Sequence, residues 1–182
     1  MRISSHKKTL SLALVWWGLI LASLPLGRAT TNYLREHSLL NLVLVLTIVF
    51  LLSLVLGSLF WLHRQQKVSK LKVRVILFLF LSWVLGSLIL ERPEERWHIY
   101  HYGILALLLW ESFAGLRWRR TALCSVLVVS CGFLEESAQL LIPQRVFDWR
   151  DVLLNGGSGI WSVFVLSLQD KKEKMLERGP NS

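Results

Sequence analysis

From Ser38 to Leu62 the chain runs for 25 residues without a single Asp, Glu, Lys or Arg. As a helix this stretch would rise about 38 Å, more than the roughly 30 Å of hydrocarbon in a bilayer. It is apolar on every side, so no face is left for water. A segment of this kind has two homes, the middle of a large protein or the inside of a membrane. At 182 residues the chain is too short to bury several such helices in a water-soluble core.

Five further stretches approach the same length and character: Thr9 to Leu26, Val75 to Leu90, Ile99 to Leu116, Thr121 to Ile142 and Val152 to Leu168. Hydrophobic residues make up 53% of the chain, and the mean hydropathy is +0.48. The expected fold is therefore all-α, a polytopic transmembrane helical bundle of about six spans, with the lipid bilayer as its first partner. The third stretch is short and would borrow from Lys70–Arg74. Ser53/Gly57 and Ser82/Gly86 repeat a small-xxx-small spacing that lets helices approach closely. Cys124 and Cys131, seven residues apart in one apolar run, are too far apart along a helix to bridge and read as packing residues.

The net charge of +9 comes from short basic clusters between apolar runs, with no nucleic-acid-reading module beside them, so nucleic acid is not an expected partner. The clusters alternate. The amino-terminal tail, the second and fourth connections and the carboxy-terminal tail hold 15 Lys and Arg, and the other three connections hold six. Basic residues favour the cytoplasmic side. The pattern predicts an inner (plasma) membrane protein with both termini in the cytoplasm. Trp61, Trp97, Trp118 and Trp149 stand near expected span ends, as interfacial anchors do. Arg2, Lys7 and Lys8 before an apolar run also suit a signal peptide, although Trp16-Trp17 fits such a run badly and no clean small-x-small cleavage site follows.

Polar groups are expensive inside a bilayer and tend to mark function. Here they gather on the side assigned as extracytoplasmic. Glu91, Arg92, Glu94, Glu95, Arg96, His98, His101 and Tyr102 lead into the fourth span. Glu135, Glu136 and Gln139 lie in the last turns of the fifth, and Arg145, Asp148, Arg150, Asp151 and Asn155 bridge to the sixth. The part from Glu91 to Arg96 also reads as a solvated loop. Glu136 would sit about 10 Å below the end of a helix running to Pro143, where a carboxylate needs Arg96, Arg145 or His98 as partner, or a proton. His98 and Tyr102 share a helix face, as do Glu136 and Gln139. Glu111, nearer the cytoplasmic side, reads as structural. No cofactor is expected. No metal is expected either, since His98-x-x-His101 is a short, common spacing with no third ligand fixed.

The sequence Glu-Arg-Trp-His-Ile-Tyr-His-Tyr-Gly, with His98, Tyr102 and Gly103, is followed by Glu135-Glu136-x-x-Gln139, Pro143-x-Arg145, and then Asp151 and Asn155. In order and spacing this resembles the VanZ-like family of small bacterial membrane proteins, over about Glu95 to Trp161. Ser158 stands where the family usually has Gly, and Glu135 where it often has Asp. The expected organisation is three amino-terminal helices without a recognised motif (1–90), the VanZ-like region (91–168) and a charged cytoplasmic tail (169–182). The resemblance implies an envelope-associated protein. Founding members are associated with teicoplanin resistance, and a lipid-linked or cell-wall-related ligand would fit the outward polar cluster. The candidate binding residues are Glu95, Arg96, His98, Tyr102, Glu135, Glu136, Gln139, Arg145, Asp151 and Asn155. In an enzymatic variant Glu136 would be acid or base, His98 its partner, and Arg96 and Arg145 would hold an anionic headgroup. A non-catalytic scaffold or assembly subunit is the alternative, and a small transporter the third.

Overall fold

A computed structural model describes residues 2–64, 70–90, 93–114, 116, 119–143 and 145–178. Glu91, Arg92, Arg117 and Trp118 lie outside the described residues, as do the side chains of Trp61 and Glu94. Among the described residues six helices follow one another: α1 (Arg2–Glu36), α2 (Leu40–Arg64), α3 (Lys70–Ile89), α4 (Pro93–Ser112), α5 (Arg119–Gln139) and α6 (Trp149–Arg178). There is no strand among the described residues. Among them, too, three stretches are long and apolar enough to cross a membrane, His6–Leu26, Arg119–Gln139 and Trp149–Gln169; Leu40–Phe50 and Val73–Ile89 are apolar but shorter.

The helix bounds depart from the hydropathy reading in instructive ways. The first helix does not stop near Leu26 but runs through Pro25 to Glu36. It ends where Leu39 N–H returns to Leu34 O at 2.8 Å and Ser38 N–H to Arg35 O at 3.1 Å. Ser38 takes φ 55° there, the left-handed residue of a Schellman cap. The fourth helix begins at Pro93, a residue suited to the first helical position because its missing N–H would have no partner there anyway. Glu95 and Arg96 are therefore helical and not part of a solvated loop. The last helix continues past Leu168 through the charged segment to Arg178.

The fourth helix is the axis of the bundle, touching each of the other five. Tyr100, Tyr102, Leu105, Ala106, Leu109 and Trp110 are buried along it. Its charges, Glu95, Arg96 and Glu111, break the apolar run that identifies a lipid-facing span. A helix enclosed by its neighbours tolerates them, because protein rather than lipid covers its polar side chains. Hydrogen bonds across the bundle reinforce this centre: Trp83 Nε1 donates to Ser162 Oγ at 3.1 Å, and the Ser87 and Tyr100 hydroxyls lie 3.1 Å apart.

Glycines let α5 and α6 approach closely. A Cβ added to Gly159 would fall 1.9 Å from Cγ1 of Val128, and one added to Gly132 would fall 2.8 Å from Cβ of Asn155. With no hydrophobic drive between helices in lipid, close backbone approach of this kind carries much of the association. Of the two small-residue pairs, Ser82/Gly86 lies in the bundle: Ser82 Oγ accepts from Trp161 Nε1 at 3.0 Å, and a Cβ on Gly86 would touch Ile99. Gly57 has open space beside it. Both cysteines are free, with Cys124 buried.

Gly159→Ala is expected to destabilise the bundle by about 1–3 kcal/mol through overpacking. Gly157→Ala, with nothing within 4 Å, is expected to be neutral or to stabilise by up to about 1 kcal/mol from helix propensity. Equilibrium unfolding in detergent micelles separates the two.

Candidate functional site

At one end of the bundle, the first turns of α4 and α6 meet the last turns of α5. The buried stripe of α5 is Arg120, Cys124, Val128, Gly132, Glu135, Glu136 and Gln139, recurring at three and four residues as a helix face requires. After Arg120 it is apolar, narrows to glycine, and ends polar. Gly132 opens the space into which Asn155 fits, so the stripe itself admits the α6 amide to the neighbourhood of Glu135.

Glu135 (2% exposed) and Glu136 (0%) point into different surroundings. Glu135 Oε2 accepts from Tyr102 Oη at 2.7 Å and from Asn155 Nδ2 at 3.2 Å. Its Oε1 faces His98 Nδ1 at 3.9 Å, beyond hydrogen-bonding range. Three helices thus converge on one carboxylate. Tyr102 and His98 reach it from the same face of α4, four residues apart.

Glu136 belongs to a brace. Gln139 Nε2 donates to Glu136 Oε1, and Asp148 N–H donates to Oε2 at 3.3 Å. Arg145 Nη1 donates to Gln139 Oε1 at 2.7 Å, and Nη2 to the Leu24 carbonyl of α1 at 3.1 Å. The cation therefore reaches Glu136 through a glutamine amide and not by direct pairing. Asp148 is the N-cap of α6, accepting Arg150 N–H on Oδ1 at 2.8 Å. Asp151, in the first turn of α6, sits where the helix dipole favours an acid.

Several expectations change at this point. The helix ends at Gln139, so Glu136 lies about 4.5 Å from its end rather than 10 Å. His98, proposed as the partner of Glu136, faces Glu135. Arg96 turns away and donates from Nε and Nη2 to the Leu90 carbonyl at 3.3 and 3.1 Å. Glu95, buried at the rim, meets Arg150 Nη2 at 3.3 Å. Glu111 offers its backbone carbonyl to His6 Nδ1 at 3.1 Å. Among the described residues no group of three or more His, Cys, Asp or Glu side chains is placed to hold a metal ion.

Two participants have no signature in the sequence. The Leu24 carbonyl is a backbone group, with no side-chain signature for the bond it accepts. Arg120, counted as a loop charge, is buried at the other end of the bundle. There its guanidinium lies 3.9 Å from the centroid of the Trp110 ring and Nε donates to the Trp110 carbonyl at 2.7 Å.

Comparison with protein-family models, with curated proteins and with solved structures finds no match to this chain.

Gln139→Ala removes the link between Arg145 and Glu136 and leaves a buried carboxylate short of a donor. It is expected to cost about 2–3 kcal/mol, against less than about 0.5 kcal/mol for its exposed neighbour Leu140→Ala. Unfolding of the two variants in the same micelle gives the comparison.

Proposed function

We propose that this chain is a VanZ-like, multi-pass protein of the inner membrane. In this reading it has six spans and cytoplasmic termini, and it binds a lipid-linked or cell-wall-related ligand at its outward polar end, influencing susceptibility to glycopeptides. The observation that carries the reading is the meeting of His98, Tyr102, Glu135 and Asn155 around one buried carboxylate. These residues come from three helices and are among those on which the family resemblance rests. Fifteen basic residues in one set of alternate segments against six in the other support the orientation. The enclosure of α4 by its neighbours supports counting it as a span despite its charges.

A buried polar cluster built only for stability is an inefficient device, since well-packed apolar residues usually serve as well or better. That weighs toward binding. The enzymatic variant built on Glu136 and His98 loses support, because those two residues face different partners. The scaffold reading draws on α2, whose Leu42, Val45, Leu46, Val49 and Phe50 are all exposed. A lipid-facing helix needs no protein to cover such a surface.

The test is cellular. Wild type and Glu136→Gln, matched for abundance in the membrane, are expressed and survival is compared under glycopeptide and other envelope stress. A survival difference conferred by the wild type and lost in the variant is expected. Equal survival with both proteins, or with neither, contradicts the binding reading. Reporter fusions at each end, active only in the cytoplasm, are expected to give signal from both termini.

A further inference from the structure

Three carboxylates are buried at the polar end, and the arginines are divided unevenly among them. Glu95 has Arg150, whose side chain reaches in from a position 52% exposed. Glu136 has Arg145 by way of Gln139. Glu135 has Tyr102, the Asn155 amide nitrogen and His98, and of these only a protonated His98 would bring a positive charge.

The groups around Glu135 also leave acceptor capacity unused. Asn155 is fully buried, yet its Oδ1 has no hydrogen-bond partner; His98 Nδ1 is buried without one as well. Buried polar atoms seldom stay unmatched, and each one asks for an explanation. Both belong to side chains that meet Glu135, one by a hydrogen bond and one across a 3.9 Å gap. The free acceptors are thus an anionic oxygen, an amide oxygen and an imidazole nitrogen in the tautomer that leaves Nδ1 unprotonated.

We infer that this corner binds a primary ammonium group, whose three N–H donors match Glu135 Oε1, Asn155 Oδ1 and His98 Nδ1. The inference rests on the ligand-binding reading above and gives the ligand an amine in place of an anionic headgroup. The arginines agree with this. Arg96 donates to the Leu90 carbonyl, and Arg145 donates to Gln139 and Leu24, so the hydrogen bonds of both guanidinium groups go to partners other than Glu135. The His98 side chain, 18% exposed, marks the way in. A quaternary ammonium carries the same charge but no N–H donors, so the site separates the two by hydrogen bonding and not by charge. The amine has two sources, the ethanolamine headgroup of a bilayer lipid or a soluble amine.

The experiment is a calorimetric titration of the intact protein in neutral micelles with octylamine, trimethyloctylammonium and octanoate. Octylamine is expected to saturate one site and to bind at least tenfold more tightly than either of the others. Glu135→Gln is expected to weaken it at least tenfold with an unchanged gel-filtration profile. If that variant does not fold, His98→Phe, which removes the Nδ1 acceptor at the way in, is expected to weaken octylamine severalfold. Equal binding of the trimethylated probe, or octylamine binding unmoved by the substitution, overturns the inference. In nanodiscs, competition of octylamine by phosphatidylethanolamine but not phosphatidylcholine assigns the amine to lipid; competition by free ethanolamine alone assigns it to a soluble ligand. Loss of the survival phenotype in Glu136→Gln with no octylamine binding removes the amine and keeps the proposed function. Amine binding without any phenotype does the reverse.

Discussion

A carboxylate inside a helical bundle has lost its water, and only neighbouring helices can replace it. Glu135 and Glu136 impose that demand twice, on adjacent residues of α5 that face about 100° apart around the helix. One draws in α4 and α6 through Tyr102 and Asn155. The other draws in the α5–α6 connection through Asp148 and, by way of Gln139 and Arg145, reaches α1 at Leu24. Four of the six helices are fixed to one another by what these two side chains require. The glycines serve the same end: Gly132 is small because Asn155 must come close enough to donate.

The first helix gains a purpose from this arrangement. It holds α4 at two levels, through His6 to the Glu111 carbonyl and Trp16 Nε1 to the His101 carbonyl at 3.0 Å, and the α5–α6 connection at a third, where Arg145 grips Leu24. Arg145 in particular joins the helix to the polar end, so a change near Pro25 would be felt at Glu136 through three hydrogen bonds.

Much of this was legible in the sequence, and the reasons for the rest are physical. The all-helical fold follows from the long apolar runs, because backbone groups in lipid must be satisfied within the helix. The site's residues were visible as costly polar groups at one end of three spans. Their pairing was not visible. Adjacent Glu135 and Glu136 are chemically identical, and which one meets His98 depends on the rotation of α5, set by Gly132 and Gly159 against α6. The roles of the Leu24 carbonyl and of Asp148 N–H involve backbone groups, which carry no side-chain signature. Arg120 looked like a loop charge because nothing in its neighbourhood announced the Trp110 ring and carbonyl that take it in. Helix ends were misread where charge was taken as a boundary: Glu95 and Arg96 in α4, and the basic segment after Leu168 in α6, are helical.

The central claim is that Glu135 is the point on which α4, α5 and α6 converge. A double-mutant cycle between Tyr102→Phe and Glu135→Gln, read by unfolding in micelles, tests it most directly. A 2.7 Å hydrogen bond to a buried carboxylate predicts a coupling of at least about 1 kcal/mol between the two changes. Additive effects, with coupling inside about 0.3 kcal/mol as for independent sites, would mean that the tyrosine and the glutamate do not meet and that the account is wrong at its centre.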